Sequence, residues 1–188
     1  VKVAYEALAW GRFVNDFAHV NRLVVAADHP NIGQCLDSFH IFSRGGDITA
    51  LRDVPADKIF FVQLADAPRL DFDVISWSRH YRVFPGQGDF ALAVFLGRVA
   101  QTGYDGPVSL EIFNDTFRQA DPFGTAVDGM RSLVWLQDEA RRWSHADGGP
   151  EPRMPLAALP ATPRPDEVTF AEVRSDDAHL LRDLLERL

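Results

Sequence analysis

The feature that most restricts the fold of this chain is a fourfold alternation of short apolar runs with helical patterns. The apolar runs lie at residues 1–8, 32–38, 59–65 and 107–113. Patterns typical of helices follow them at residues 15–28, 47–54, 90–103 and 122–143. Strands that alternate with helices in this way predict an α/β fold with a parallel sheet.

One hydrogen-bonding side chain stands at or near the end of each apolar run. These side chains are Glu6, Asp37, Gln63 and Glu111. The carboxyl ends of all strands in a (β/α)₈ barrel open onto one face, so we expect the four side chains to converge there. A single polar residue would only mark the end of a strand, whereas four in consecutive units predict a shared site. Carboxylate and amide oxygens suit Mg²⁺ or Mn²⁺.

The connections between the predicted strands carry further candidates. A loop predicted at residues 39–46 contains His40, whose near-neutral reference pKa suits general acid/base chemistry. The alternative is a histidine that caps the loop. Residues 67–89 form the longest connection, and connections of this length in compact domains tend to be functional. Asp66, which precedes it, is either a support for a site residue or a cap of the third strand.

Composition excludes several classes of protein. The net charge is −8, and the only lysines are Lys2 and Lys58, so we expect no nucleic-acid surface. No apolar stretch approaches the roughly 18 residues of a membrane span, so we expect no membrane association. The single cysteine, Cys35, excludes an intrachain disulfide and fits the reducing cytoplasm. We interpret Cys35 as a small buried apolar residue.

The composition changes after the last strong helical pattern and predicts three regions. Residues 1–144 form the α/β domain. Residues 145–166 contain six prolines and no hydrophobic periodicity, which indicates a linker. Residues 167–188 resume with one strand and one helix, too little to bury a core alone. Because the chain begins inside a strand and stops on an amphipathic helix, we expect both ends to be cut from a longer protein.

Five motifs resemble those of one family. They are YEAL at 5–8, LDSFH at 36–40, VQLAD at 62–66, FPGQGDF at 84–90 and SLEIF at 109–113. In this order they resemble the C-terminal half of the xylose-isomerase-like (sugar-phosphate isomerase/epimerase) TIM barrels. Among these barrels the likeness is greatest to bacterial 3-dehydroshikimate dehydratases fused to a 4-hydroxyphenylpyruvate dioxygenase-like module.

The resemblance implies a particular domain organisation. The four strands would be strands five to eight of a (β/α)₈ TIM barrel, and about 120 residues with strands one to four would precede Val1. Residues 167–188 resemble the first β–α unit of a vicinal-oxygen-chelate domain, as in glyoxalase-like dioxygenases. This second likeness is weaker, and no iron ligand of such a domain can be assigned in it.

The resemblance also implies site residues. It assigns Glu6, Asp37, Gln63 and Glu111 to a divalent metal, Mg²⁺, Mn²⁺ or Co²⁺. Many relatives have histidine at the third position, and Gln63 matches the dehydratase subgroup instead. It links His40 to catalysis as a general acid/base. It places Ser78 and Arg82 against the substrate, where Arg82 could bind a carboxylate through two parallel hydrogen bonds. From the sequence alone, a solvated surface charge is the alternative for this arginine.

The implied activity is metal-dependent dehydration of 3-dehydroshikimate to protocatechuate in quinate and shikimate catabolism. The implied partner is a small hydroxy-keto acid, and the full-length protein could form a homo-oligomer. Two alternatives remain open at this point. One is a sugar or sugar-phosphate isomerase/epimerase that uses the same metal site, and the other is an inactive barrel fragment of a bifunctional protein.

Overall fold

The structure, a computed structural model, describes residues 1–146. The domain predicted at 1–144 therefore lies within the described residues. The linker predicted at 145–166, apart from its first two residues, and the segment predicted at 167–188 lie outside them.

Four parallel strands form one sheet in chain order. They are β1 (Val3–Glu6), β2 (Ile32–Asp37), β3 (Ile59–Leu64) and β4 (Val108–Leu110). The predicted parallel sheet is therefore confirmed, and each strand lies within its predicted apolar run. Because the strands are parallel, their carboxyl ends all lie at one edge of the sheet. Folds built from β/α units have their active or binding sites at this edge.

Six helices connect or flank the strands. They are α1 (Phe17–Ala27), α2 (Ser38–Phe42), α3 (Val74–His80), α4 (Leu92–Gln101), α5 (Asp115–Gln119) and α6 (Pro122–Ala146). Aspartate side chains cap the amino termini of the first three by accepting a backbone N–H, and these are Asp16, Asp37 and Asp73. Within residues 1–146, no helix is long and apolar enough to span a bilayer.

Three predictions about the connections were wrong or incomplete. Residues 39–42 are helical rather than part of a loop, because the Asp37 side chain caps α2 directly at the end of β2. The helix predicted at 47–54 is a 3₁₀ turn over Thr49–Asp53, and a second turn, Ala56–Lys58, leads into β3. The connection at 67–89 contains α3, which sequence periodicity did not predict because it is only seven residues long.

The main hydrophobic core joins the inner strands to the helices. Residues at its centre are almost fully buried, and they are Leu36, Phe39, Val62, Leu64, Phe95 and Leu136. These residues come from β2, α2, β3, α4 and α6, so one apolar cluster fixes the middle strands relative to the helices. Burying side chains of this size contributes about 1.5–3 kcal/mol each. The core thereby holds the strand ends in a defined position.

Asp66 fixes the loop at residues 84–90. Its buried carboxylate accepts hydrogen bonds from the backbone N–H groups of Ala67 (2.9 Å), Gly86 (2.9 Å) and Phe90 (3.0 Å). Gly86 has φ +87°, and a Cβ at Gly88 would lie 2.4 Å from the Asp66 carboxylate. Of the two roles predicted for Asp66, these contacts favour the cap of the third strand, because the carboxylate holds the backbone that follows β3.

Candidate metal centre and active site

The structure brings the four predicted strand-end side chains to one edge of the sheet. Glu6 ends β1, Asp37 ends β2, Gln63 is the penultimate residue of β3, and Glu111 directly follows β4. Asp37 is paired with Gln63 in the strand register, and the Glu111 backbone N–H donates to Leu64 at 3.0 Å. The side chains of Gln63 and Glu111 contact each other, because Gln63 Nε2 donates to Glu111 Oε1 at 3.1 Å.

Arg82 lies between two of these carboxylates. Its Nη1 donates to Asp37 Oδ2 at 2.9 Å and to Glu111 Oε2 at 2.8 Å. Its Nε and Nη2 donate to the backbone carbonyl and the hydroxyl of Ser78 at 3.1 and 2.9 Å. The Arg82 side chain is only 1% exposed. All three nitrogens of this guanidinium therefore have protein acceptors.

The elements around Arg82 explain how an arginine is held at this depth. It follows the end of α3, and its backbone N–H donates to Phe113 at 3.2 Å while its carbonyl accepts from Asn114 Nδ2 at 3.0 Å. The guanidinium also lies over the rings of Phe39 (4.5 Å) and Phe113 (5.2 Å). The folded long connection thus carries Ser78 and Arg82 to the strand ends. Both residues that the sequence placed in the site are buried there.

His40 reaches the same place from α2. Its Nε2 lies 3.5 Å from Glu6 Oε1 and 3.7 Å from Asp37 Oδ2, and the side chain is buried. On its other side, Nδ1 accepts a hydrogen bond from the Ala9 backbone N–H at 3.2 Å. A neutral imidazole whose Nδ1 is an acceptor carries its proton on Nε2. The same Nε2 lies 3.4 Å from Arg82 Nη2, which would favour the other tautomer, but the contact from Ala9 is shorter. We therefore assign His40 an N–H donor directed toward the carboxylates.

The charges of the site are crowded and incompletely balanced. Burial, followed by the nearby charges of Asp37 and Glu111, raises the pKa of Glu6 to about 7. Burial and the neighbouring Asp37 also raise the pKa of Glu111. Burial, and then the positive charge of Arg82, lowers the pKa of His40 to about 4. Only two of the three carboxylates pair with the one buried guanidinium among these residues, so a bound cation would relieve the repulsion among all three.

The donor chemistry fits a hard divalent cation. Carboxylates of Glu6, Asp37 and Glu111, with the amide oxygen of Gln63, form an oxygen set of the kind that Mg²⁺ and Mn²⁺ prefer. Glu6, Asp37 and His40 also offer ligand atoms within 4.8 Å of one another. In the tautomer that Ala9 selects, however, His40 Nε2 carries a proton and has no free lone pair for a metal. By donor chemistry the oxygen set therefore fits the cation better than the histidine-containing one.

Two further residues adjoin the site. Trp10, in the loop after β1, packs edge-on against the His40 ring with centroids 4.9 Å apart. Trp10 was not among the residues predicted for the site, because a lone aromatic residue in a loop carries no periodic signal. Cys35, which we expected to be only a small buried residue, is buried and also donates its thiol to Gln63 Oε1 at 3.0 Å. Burial raises the pKa of this thiol, so Cys35 is un-ionised near neutrality.

Comparison with known proteins identifies the family. Residues 1–137 match the family described as xylose isomerase-like TIM barrel. The chain belongs to this family. Among curated relatives, a 3-dehydroshikimate dehydratase from Pseudomonas putida is 51% identical over 179 residues, which cover 95% of this chain and 28% of that protein. An inosose isomerase from Halalkalibacterium halodurans is 35% identical over 63% of this chain and 42% of that protein.

Solved structures give the same result. A xylose isomerase-like TIM barrel/4-hydroxyphenylpyruvate dioxygenase fusion protein superposes with a TM-score of 0.78 and 53% identity, covering 82% of this chain and 25% of that one. The IolI protein with a bound zinc atom superposes with a TM-score of 0.66 and 27% identity, covering 76% and 50%. The chain thus spans only about a quarter of the Pseudomonas putida dehydratase and of the fusion protein.

Proposed function

We propose that the complete protein carrying this chain is a divalent-metal-dependent 3-dehydroshikimate dehydratase that forms protocatechuate and water. The observation that carries the proposal is the convergence of three carboxylates and one amide at the carboxyl edge of the sheet, where the buried Arg82 pairs with two of the carboxylates. The substrate class is supported by the 51% identity to a protein named 3-dehydroshikimate dehydratase.

Glu6, Asp37, Gln63 and Glu111 would hold the metal. When bound, a divalent cation supplies electrophilic polarisation of the substrate ketone, which acidifies the neighbouring C–H bond. The side chains of Glu6 and Glu111 are each 29% exposed, whereas that of Asp37 is fully buried. The two outer carboxylates therefore border the space that a substrate would enter, and Asp37 lies behind them.

His40 contributes a hydrogen-bond donor in this proposal. Its Nε2–H points toward the carboxylate cluster, where a substrate oxygen would lie between the histidine and the metal ligands. The lowered pKa keeps the ring neutral at physiological pH. A neutral imidazole N–H stabilises developing negative charge on an oxygen without transferring its proton. This role is narrower than the general acid/base role that the sequence predicted.

The overall reaction balances without a further reagent. A base removes the proton on the carbon beside the ketone, and the C–O bond to the β-hydroxyl breaks. The expelled hydroxide and one proton leave as water. Loss of a second ring proton, which returns to the ketone oxygen, then makes the ring aromatic. Ser78 and Arg82 contribute by fixing the orientation of Asp37 and Glu111.

The test uses the complete protein after treatment with a chelator. We expect formation of a product with catechol-carboxylate absorbance only after Mg²⁺, Mn²⁺ or Co²⁺ is restored. Glu111→Gln should lower the rate at least about 100-fold, whereas Asp128→Asn, an exposed acidic residue of α6, should not. Turnover that survives chelation, or no turnover with any of the three metals, would contradict the proposal.

An isomerase is the second candidate, because inosose isomerases are 30–35% identical to parts of this chain. Such an enzyme would exchange a substrate proton with deuterated water without losing water from the substrate. Deuterium incorporation into inosose in the absence of protocatechuate formation would favour it. An inactive barrel fragment has no metal site at the strand ends, so any metal that the protein binds would be bound equally well after Glu111→Gln.

We also propose the domain organisation expected from the sequence. Residues 1–144 would be strands five to eight of the barrel, 145–166 a linker and 167–188 the start of a vicinal-oxygen-chelate domain. The match to a fusion protein and the 50% coverage of the IolI chain support this arrangement. A cytoplasmic location and a homo-oligomer of the full-length protein belong to the same proposal. Limited proteolysis of the complete protein should cut first within 145–166.

A further inference from the structure

A negatively charged substrate needs a cation that is not already paired, and the site provides few. Glu6, Asp37 and Glu111 repel a carboxylate, and Arg82 has its three nitrogens on Asp37, Glu111 and Ser78. In this arrangement Arg82 has no open pair of donors for a second carboxylate. The predicted role of Arg82 as a substrate-carboxylate ligand would therefore require it to release the protein groups it now holds.

Arg79, one turn earlier in α3, meets the requirement. It is exposed, and its guanidinium lies over the rings of Trp10 (5.5 Å) and Phe113 (5.1 Å). No carboxylate among residues 1–146 forms an ion pair with it. Aromatic rings contact the face of a guanidinium and leave its N–H edge free, which is the edge that binds a carboxylate through two parallel hydrogen bonds.

The two rings locate Arg79 beside the site. Trp10 follows β1 and packs against His40, while Phe113 follows β4 two residues after Glu111. Arg79 thus contacts both the loop that follows β1, which ends at Glu6, and the loop that follows β4 and Glu111. The positive charge of Arg79 also helps to lower the pKa of His40, although burial and Arg82 have larger effects.

We propose that Arg79 binds the carboxylate of the substrate and sets the preference of the site for an anionic hydroxy-keto acid. This inference rests on the proposed function and names the group that recognises its substrate class. The aromatic pair holds the guanidinium in place before the substrate arrives, which lowers the entropic cost of forming the contact. Arg79 is a specificity residue and takes no part in bond breaking.

The chain offers a matched control in Arg118. Its guanidinium also lies over the Phe113 ring, at 5.6 Å, but it is paired with Asp115 Oδ1 at 3.3 Å. Arg118→Met therefore removes a positive charge from the same Phe113 ring, as Arg79→Met does. The difference is that, within residues 1–146, Arg118 already has an acidic partner and Arg79 does not. Arg79→Lys keeps the charge but loses the planar pair of donors.

The experiment measures equilibrium binding to the complete, metal-loaded protein by calorimetry. Its two probes are protocatechuate, which is an anion at neutral pH, and methyl protocatechuate, which lacks the carboxylate charge. Arg79→Met should weaken binding of the acid about 10- to 100-fold and leave binding of the ester unchanged. Arg79→Lys should have an intermediate effect, and Arg118→Met should leave the acid-to-ester ratio as in the wild type.

The outcomes separate this inference from the proposed function. Equal weakening of acid and ester by Arg79→Met, no weakening of either, or the same effect from Arg118→Met would overturn the role of Arg79. A wild-type protein that binds neither probe would overturn it as well. If the wild type prefers the acid through Arg79 but does not dehydrate 3-dehydroshikimate, the carboxylate site stands and the proposed function fails.

Discussion

Replacing Arg82 with methionine tests the electrostatic description of the site directly. Methionine retains an unbranched apolar chain between the aromatic rings but removes the guanidinium. Asp37, whose side chain is fully buried, then loses its ion-pair partner, and Glu111 loses a contact of 2.8 Å. Ser78 also loses the donor to its hydroxyl. We therefore expect the metal-free variant to be less stable than the wild type.

The size of the stability loss in Arg82→Met depends on which carboxylate loses its ion-pair partner while it remains buried. Removing one member of a buried ion pair costs about 3–5 kcal/mol, because a charge remains buried without compensation. Asp37 meets this condition, whereas Glu111, with a side chain 29% exposed, keeps some solvation. Protonation of one carboxylate limits the loss, since the pKa of Glu111 is already raised. The expected decrease in unfolding free energy at pH 7 is therefore near the lower end, about 3 kcal/mol.

A divalent cation should offset much of this loss. When no cation is bound, Arg82 neutralises these carboxylates. In Arg82→Met a bound cation takes over this role, and no neighbouring guanidinium repels the cation. The assay is urea unfolding of the complete protein, chelated or saturated with Mn²⁺, followed by a probe within residues 1–146. We expect Mn²⁺ to stabilise Arg82→Met by at least about 1 kcal/mol more than the wild type, which by linkage means tighter binding.

Two controls make the reasoning refutable. Arg131→Met removes an exposed arginine from a 3.1 Å pair with Asp128 and should change stability by less than about 0.5 kcal/mol. Arg82→Lys keeps a charge and should lose less stability than Arg82→Met. A loss below about 1 kcal/mol for Arg82→Met, or equal stabilisation of wild type and variant by Mn²⁺, would refute the view that guanidinium and metal neutralise the same carboxylates.

Two further predictions concern Asp66 and Glu6. Asp66→Ala removes three backbone hydrogen bonds from the buried loop anchor and should lower the unfolding free energy by about 2–4 kcal/mol in urea titrations. In the metal-free folded protein the pKa of Glu6 is raised from 4.5 to about 7. Between these two pH values Glu6 is therefore protonated in the folded protein but ionised in the unfolded chain. Stability from this group therefore falls as pH rises from about 5 to 7, so Glu6→Gln should gain up to about 3 kcal/mol over the wild type by pH 8.

Each of these predictions has an internal check. The control for Asp66 is Asp71→Asn, at an exposed acidic residue of the same connection, which should leave the unfolding free energy unchanged. If Asp66→Ala also leaves the unfolding free energy unchanged, the loop is held by other contacts. The advantage of Glu6→Gln should disappear when Mn²⁺ is added, because the metal favours the ionised carboxylate. A stability difference that does not vary with pH would contradict the raised pKa of Glu6.

The sheet could be predicted from the sequence because each strand is a distinct apolar run. The runs gave the four strands and their parallel order, since only helical patterns separate them. The short helices α2, α3 and α5 could not be predicted. They span five to seven residues, fewer than two turns, so no hydrophobic period can develop. Their starts depend on capping contacts with Asp37, Asp73 and Asn114.

The shared edge of the strand-end side chains could be predicted from the sequence, but the contacts among the candidate site residues could not. Strand-end position predicts that Glu6 and Asp37 share an edge, because the geometry of a parallel sheet requires it. The burial of Arg82 depends on the path of residues 67–89, which local sequence does not determine. The proton position on His40 depends on the Ala9 backbone, 31 residues away. Such contacts are products of tertiary structure, and no local pattern encodes them.

Asp37 imposes a constraint on any attempt to redesign the proposed metal centre. Its Oδ1 caps α2 by accepting from the Phe39 backbone at 2.6 Å, while its Oδ2 pairs with Arg82. Since α2 carries His40, exchanging Asp37 would disturb the histidine as well as the metal. Within residues 1–146, Gln63 does not cap a helix, and its side-chain amide forms hydrogen bonds only with Cys35 and Glu111. Among the four proposed ligands, Gln63 is therefore the position at which the metal preference of the proposed centre is best varied.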